Sequence, residues 1–415
     1  MRNLKKSVYN LLRRTEDFTG TDNVYLAKQG TYLNLNNIVM ALLALGLSVA
    51  YARLLPKDTY GEYKYILSFF GFFSIAALQG LDNALIRGIA RGAEKTFSRG
   101  LALRFRYSLL GSLAAALFAF YFWFQGNPVL AGGFFIMALF LPLMETGRTY
   151  ALYLEGKKEF GREVGYGLIT STLSALAVIL TISLTEKLLP LVLVYFLAHS
   201  LLRMYFLKRT IRLLPPNKQD DPETISYGKH LSLMGVLGLA SRQLDKILLF
   251  HFLGAVQLAV YSFAVAPVEQ LRSPFQSLQR LALPKFSLRT KEEIKKNLPK
   301  KIWRSLVFVT AAVLFYNLVA DPAYRLFFPQ YLDSIFYSRL FSLSLFIFPI
   351  TMIALSLQAQ MMKRQLYWLS VISPVFDIAT LLVLTPLYGI LGVILARLSS
   401  QIFYALLVVY FFRKM

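Results

Sequence analysis

The 415-residue sequence contains no cysteine and only three histidines. Without cysteine, the chain has no disulfide framework, no thiolate nucleophile and no cysteine-ligated metal site. Three histidines argue against a histidine-ligated metal centre. Two catalytic motifs are also missing, the Gly-Lys-Ser/Thr phosphate-binding loop and His-Glu-x-x-His. We therefore expect no cofactor, no metal site and no enzymatic activity.

Charged residues are also scarce, and acidic residues are scarcer than basic ones. Only 16% of the residues are charged, whereas a soluble domain has about a quarter. The mean hydropathy is +0.52 and the formal net charge is +23. On a soluble protein this charge would suggest nucleic acid. Here the basic residues flank apolar runs, which indicates membrane topology and attraction to anionic lipid headgroups, with no nucleic-acid partner.

Long apolar runs recur along the chain, and each has about the 20 residues needed to cross a bilayer. Each crossing is expected to be a helix, because an unpaired backbone group in lipid costs several kcal/mol. The sequence thus predicts an all-α polytopic membrane protein with about twelve spans. They lie near 32–54, 62–90, 101–125, 129–153, 164–185, 188–207, 227–252, 256–283, 302–320, 332–359, 366–385 and 388–412.

Basic residues are concentrated on alternate connections between these spans. Of the 45 Lys and Arg residues, 36 lie on one set of connections, five on the other set and four inside spans. Such an asymmetry is typical of the positive-inside rule. It predicts an even number of spans and places both termini in the cytoplasm. We expect a multi-pass protein of a bacterial or archaeal plasma membrane.

The chain carries signs of an internal repeat. Arg53–Pro56 precedes Tyr63 by the same interval at which His251–Gly254 precedes Tyr261, 198 residues further on. Repeats of six spans insert the same way up, so they predict two six-helix lobes related by a pseudo-twofold axis along the membrane normal. The predicted parts are a tail at 1–31, an N-lobe at 32–212, a linker at 213–226 and a C-lobe at 227–415.

Several motifs resemble the polysaccharide flippase branch of the multidrug/oligosaccharidyl-lipid/polysaccharide superfamily. They are Gly46-Leu47-Ser48, Ala52–Tyr63, Leu78–Ala84, Leu244-Asp245-Lys246, Phe252-Leu253-Gly254, Val260-Tyr261-Ser262, Leu283–Phe286 and Pro386–Gly392. The resemblance implies two six-helix lobes and transport of lipid-linked glycans. The chain has no sign of the added helix pair with which some members hold a lipid tail.

Some charges fall inside the predicted spans, where each costs at least about 2.5–3.5 kcal/mol and therefore usually faces a cavity or a partner. The basic ones are Arg242, Lys246, Arg339 and Arg397, and the acids are Asp245 and Asp377. Arginine suits phosphate because its planar fork donates two parallel hydrogen bonds. We expect the four basic residues to form a cationic cleft for a lipid diphosphate and the two acids to couple transport to H+ or Na+. The alternative is internal salt bridges, such as Arg242–Asp245 or Asp377–Arg397.

Three functions remain open from the sequence. The first is a flippase for polyprenyl-diphosphate-linked oligosaccharide that works by alternating access, with membrane lipids and glycan-assembly proteins as further partners. The second is a cation-coupled multidrug exporter on the same fold, which would have a neutral or acidic cleft. The third is a non-transporting scaffold or lipid glycosyltransferase. The basic segment 285–301 predicts a short amphipathic helix on the inner membrane surface, with partner docking as the alternative.

Overall fold

The computed structural model of the chain describes residues 23–272, 286 and 289–414, with side chains from Val39 onward. Within these ranges the backbone forms helices and connecting turns, and no strand. Most of the predicted tail and residues 273–283 of the eighth predicted span lie outside the described residues. The predicted all-α membrane fold is confirmed for the part described.

The α-helices of the described chain are labelled here in chain order. They are α1 (Asn23–Leu54), α2 (Lys57–Phe73), α3 (Leu81–Ala90), α4 (Lys95–Phe124), α5 (Pro128–Gly147), α6 (Thr149–Gly156), α7 (Phe160–Leu184), α8 (Leu188–Leu213), α9 (Pro222–Gln270), α10 (Lys291–Phe327), α11 (Ser334–Ser342), α12 (Ile347–Ala359) and α13 (Lys363–Arg413). Short 3-10 turns lie at Ser74–Ala77, Pro329–Tyr331 and Leu343–Phe346.

Eight helices in the described ranges are long and apolar enough to cross a membrane, or nine if the bent pair formed by Lys57–Ala77 and Leu81–Ala90 is one crossing. Two of the eight, α9 and α13, contain 49 and 51 residues, and each consists of two helices joined at a kink. The multi-pass membrane class is thus established. The count of twelve stays a prediction.

The kinks in α9 and α13 fall on glycines with positive φ, Gly254 (φ 81°) and Gly389 (φ 58°). A side chain would strain the backbone there, and glycine adopts this conformation freely. Beyond Gly254 the chain folds back, because the Tyr261 hydroxyl lies 2.7 Å from the Asp245 carboxylate. Sixteen residues of straight helix would separate the two by about 24 Å. The two arms of each hairpin therefore face one another.

Helix α2 and the residue that precedes α3 pack against α9 at very short range. A Cβ on Gly61 would lie 1.9 Å from the Ala255 carbonyl oxygen, and one on Gly80 would lie 2.3 Å from the Ser232 nitrogen. Glycine is required at both positions because the backbones themselves are in contact. Helices of the two predicted lobes are thus tightly joined, while the division at 213–226 remains a proposal.

The two ends of the bundle differ in composition. One, called the far end here, holds the turns at Pro56, Gly254 and Gly389 and the 3-10 turn before Asp333. A buried group of rings, the far-end aromatic cluster, lies beneath it and joins both halves of the chain. Its members are Tyr51, Tyr60, Tyr63, Phe263 and Tyr331. The opposite end, called the basic end, holds the loops 91–94, 157–159 and 214–221.

Candidate functional site

A cavity of about 670 Å³ lies among the arms of α9, the arms of α13 and the segment 341–348. Most of the charged residues that the sequence placed inside spans line this cavity. Its charged lining residues are Arg242, Asp245, Lys246, Glu269, Arg272, Asp377 and Arg397. Four basic and three acidic side chains give this lining a net charge of one positive unit.

Arg397, on the second arm of α13, holds the two predicted acids together. Its guanidinium lies 3.0 Å from Asp245 Oδ2 and 2.5 Å from Asp377 Oδ2. The side chains of the three residues are between 7% and 16% exposed, so the ion pairs are largely screened from solvent. Removing one member of such a buried pair leaves an uncompensated charge. Arg397 therefore acts first as the counter-ion that permits two acids at this depth.

Neutral groups complete the surroundings of the two acids. Tyr261 donates to Asp245 Oδ2 over 2.7 Å, and the Asp245 Oδ1 atom accepts from the Lys246 backbone nitrogen over 2.8 Å. Ser241 donates to Asp377 Oδ2 and accepts from Arg397 at its carbonyl oxygen. Asp377 Oδ1 is buried and has no hydrogen-bond partner among the described residues.

Two cations of the cavity wall, Arg242 and Lys246, have no ion-pair partner among the residues that the structure describes. Arg242 is exposed and Lys246 is partly buried. Arg272, two residues after the end of α9, donates to the Ser344 hydroxyl over 2.7 Å, and its guanidinium lies 5.2 Å from the centre of the Phe341 ring. Together with Glu269, these three side chains account for the net positive charge of the lining.

Arg339 is absent from the lining of this cavity. It pairs with Asp321 of α10 and donates to the Asn317 carbonyl oxygen over 3.0 Å. Both side chains of the pair are about 40% exposed. Asp321 lies on α10 and Arg339 lies on α11. The packing of these two helices brings the residues together, so spacing along a single helix could not indicate the pair. Arg339 therefore stands apart from Arg242, Lys246 and Arg397, with which the sequence grouped it.

Sequence reasoning missed three groups at the cavity, Arg272, Glu269 and Tyr261. Arg272 was counted among the basic residues of the connection that follows the eighth predicted span. The repeat motif singled out Tyr261 without giving it a role. The signal that could have found all three is their position on, or just after, the arm that faces Asp245 across the Gly254 turn.

A second set of ion pairs lies toward the basic end of the first half. Asp82 accepts from both Arg104 and Arg148, and Arg148 also lies 3.5 Å from Glu145. The Arg104 side chain is fully buried. These pairs join α3, α4 and α5, so we regard them as structural.

Comparison with known families decides the assignment of the chain. Residues 26–287 match the family described as polysaccharide biosynthesis protein. The chain belongs to this family. The resemblance to the polysaccharide flippase branch, drawn from short motifs, is thereby confirmed. No curated protein matches the sequence.

Solved structures share the fold over nearly the whole length. The lipid II flippase MurJ in an inward closed conformation superposes with a TM-score of 0.66 at 14% identity, covering 92% of this chain and 87% of its own. An inward-facing transporter of the MATE family of the MOP superfamily gives 0.62 at 14% identity, with coverages of 90% and 93%. A MOP superfamily transporter from Pyrococcus furiosus, whose binding pocket is described as having reverse polarity, gives 0.60 at 14% identity, with coverages of 94% and 95%. At these identities the likeness establishes the fold alone.

Proposed function

We propose that this protein is a flippase that moves a polyprenyl-diphosphate-linked oligosaccharide across a bacterial or archaeal plasma membrane by alternating access. The family match, which concerns polysaccharide biosynthesis, supports the class of substrate. The fold, which the chain shares with the lipid II flippase MurJ, supports the transport mechanism. The assignment of both termini to the cytoplasm stays a prediction from the basic loops.

The observation that carries the proposal is the net positive charge of the cavity lining. Arg242 and Lys246 lie one turn apart on the same helix, and Arg272 faces the same space from just beyond the other arm. A diphosphate presents several oxygens that accept charge-assisted hydrogen bonds, which are worth about 1.5–3 kcal/mol each. These three residues form the proposed substrate clamp, and Arg339 is left out of it.

Alternating access needs one end of the bundle to be closed while the other admits substrate. The far-end aromatic cluster and two polar contacts support closure at the far end. Lys57 lies 3.5 Å from Asp333, and Arg53 donates to the Leu326 carbonyl oxygen over 2.6 Å. Opening requires these contacts between the halves to separate, with the glycan crossing in the cavity while the lipid tail stays in the bilayer.

The buried acids supply a route for coupling to an ion. Protonation of Asp377, or Na+ bound at its free Oδ1 atom, would reduce the attraction of this carboxylate for Arg397. Arg397 joins three helical segments, since it also contacts Asp245 and the Ser241 carbonyl oxygen. A change of charge at Asp377 is therefore transmitted to the packing of α9 against α13.

A cation-coupled multidrug exporter is the second candidate. The buried acids Asp245 and Asp377 favour it, and MATE transporters share the fold. The positive lining of the cavity argues against it, because cationic drugs would meet Arg242 and Lys246 first. Drug susceptibility of a deletion strain separates the two functions: an exporter changes it, and a glycan flippase leaves it unchanged.

Complementation of a deletion strain tests the proposal. Lipid-linked oligosaccharide is expected to accumulate in the cytoplasmic leaflet of the deletion strain, and the wild-type chain is expected to remove it. The Arg242→Gln/Lys246→Gln variant is expected to leave the accumulation in place. The Arg339→Gln variant, which removes a basic residue outside the cavity, serves as the matched control and restores transfer. Full restoration by the double variant would overturn the clamp.

A further inference from the structure

A second basic site, separate from the cavity described above, lies where α10 begins. Helix α10 starts at the basic end, since Lys295 donates to the Arg413 carbonyl oxygen at the end of α13. Instead of the predicted short surface helix, the segment from Lys291 continues without interruption to Phe327. Trp303 is 69% exposed on this helix. Because exposed tryptophan is typical of the membrane interface, we assign this level of α10 to the lipid headgroup region.

The first part of this site is a shallow basic depression of about 520 Å³. Its charged residues are Arg289, Glu293, Lys300, Lys301 and Arg304. Among the described residues, none of the four cations is in an ion pair with an acid. The one acid is already engaged, because Glu293 accepts from the Thr290 nitrogen in the capping box that starts α10. With four cations and one carboxylate, the depression has a net charge of three positive units.

The second part is an apolar slot of about 190 Å³ that adjoins the depression. The two share Arg289 and Lys301. The remaining walls of the slot are mainly apolar, formed by Phe286, Leu298, Ile302, Pro349 and Met352. A free phosphate ion or a soluble acidic metabolite has no apolar part that could occupy such a slot.

We propose that these two parts form a binding site for one anionic phospholipid from the leaflet at the basic end. The phosphate group lies among Arg289, Lys300, Lys301 and Arg304, and the start of one acyl chain occupies the slot. Basic pockets between membrane helices at the interface suit anionic headgroups, with about 1 kcal/mol contributed by each basic residue near the surface. The chemistry of the site, a cationic depression continuous with an apolar slot, matches an amphiphile with a negative head.

Occupancy of the site would stabilise the contact between α10 and α12. The slot is bounded on one side by Leu298 and Ile302 of α10 and on the other by Pro349 and Met352 of α12. Gln360, just after α12, donates to the carbonyl oxygens of Phe286 and Arg289 over 3.2 and 3.0 Å. A lipid held here connects the same segments, so it is expected to raise the unfolding temperature.

Lipid titration of the purified full-length protein tests the site without any transport assay, so its outcome does not depend on the proposed function. Phosphatidylglycerol and phosphatidylcholine are added to the protein in detergent, and bound lipid and unfolding temperature are measured. The wild type is expected to bind phosphatidylglycerol at least tenfold more tightly than phosphatidylcholine. The Arg289→Gln/Lys301→Gln variant is expected to lose most of this preference.

The matched control is Lys208→Gln/Lys218→Gln, which removes the same charge from exposed positions near the basic end but outside the site. It is expected to keep the preference, and equal losses in the two variants would overturn the proposal. Ser305→Trp, which fills the slot, should weaken the binding of phosphatidylglycerol without affecting the binding of soluble glycerol phosphate. Equal stabilisation of the wild type by glycerol phosphate and by phosphatidylglycerol would assign the site to a free anion and contradict the lipid.

Discussion

Arg397 and Asp377 lie on opposite arms of one helix hairpin, with the guanidinium Nη1 atom 2.5 Å from the carboxylate Oδ2 atom. Both side chains are largely buried. Twenty residues separate them along the chain, and the kink at Gly389 makes the contact geometrically accessible. The same guanidinium also holds Asp245, so a single residue fixes the relation between the two hairpins α9 and α13.

The first prediction concerns the cost of breaking this network. Arg397→Ala leaves two buried acids without a counter-ion and is expected to lower the free energy of unfolding by about 3–5 kcal/mol. The Arg397→Ala/Asp377→Ala double variant should lose less free energy of unfolding than the sum of the losses in Arg397→Ala and Asp377→Ala. Thermal unfolding in detergent measures all three variants. Strict additivity would show that the pair does not interact.

The second prediction concerns the backbone contact at Gly61. Gly61→Ala places a methyl group 1.9 Å from the Ala255 carbonyl oxygen and is expected to destabilise the protein by about 1–3 kcal/mol. The control is Gly167→Ala in α7, where nothing lies within 4 Å of the added carbon. That change is expected to be neutral or stabilising by up to about 1 kcal/mol. Similar unfolding temperatures for the two variants would contradict the close approach of α2 and α9.

The third prediction concerns the closed far end. The natural chain has no cysteine, so Lys57→Cys/Asp333→Cys can be studied without removing any other thiol. A short bismaleimide should join the two positions and stop transport, because the halves can no longer separate. Each single cysteine variant treated in the same way is the control and should remain active. Unimpaired transport by the crosslinked protein would argue against opening at this end.

The fourth prediction concerns Glu94, which lies in the loop before α4 at the basic end. Burial raises the pKa of Glu94, but hydrogen bonds from Lys157, the Asn217 backbone and Tyr153 outweigh this and hold the pKa below its usual range. A lowered pKa in the folded state stabilises the protein above the unfolded value of about 4.3, and the effect is lost as the pH falls through the folded pKa.

Glu94→Gln should therefore lower the unfolding temperature at neutral pH, and its difference from wild type should shrink as the pH falls below about 4.3. Glu292→Gln, at an exposed position in the first turn of α10, is the control and should be nearly neutral. Unfolding scans across this pH range provide the measurement. A difference that stays constant with pH would exclude an electrostatic origin.

Much of the architecture could be predicted from the sequence because apolar runs and helix breakers are local signals. Gly389 and Pro386 indicated the turn inside α13, and Gly254 belonged to a motif of the repeat. The positions at which helices begin and end were harder to predict. Helix α9 begins at Pro222, ahead of the predicted 227, since Asp221 caps it by accepting from the Glu223 and Thr224 nitrogens.

The partners of the buried charges could not be predicted in the same way. Spacing along one helix suggested that Arg242 would neutralise Asp245, but Asp245 pairs with Arg397 on α13, more than 150 residues away. The pairing depends on how two hairpins pack, which helical periodicity does not encode. The Asp377–Arg397 bridge was one of the two internal salt bridges that the sequence left as the alternative to a cationic cleft, and the structure places these two residues in contact.

The central claim is that free cations of the cavity bind the diphosphate of a lipid-linked glycan. Translocation of a fluorescent polyprenyl-diphosphate oligosaccharide by the reconstituted protein tests it most directly. We predict that Arg242→Gln/Lys246→Gln lowers the rate at least tenfold, since each lost charge-assisted hydrogen bond is worth about 1.5–3 kcal/mol, while Arg339→Gln transports at the wild-type rate. Equal rates for the double variant and the wild type would contradict the account.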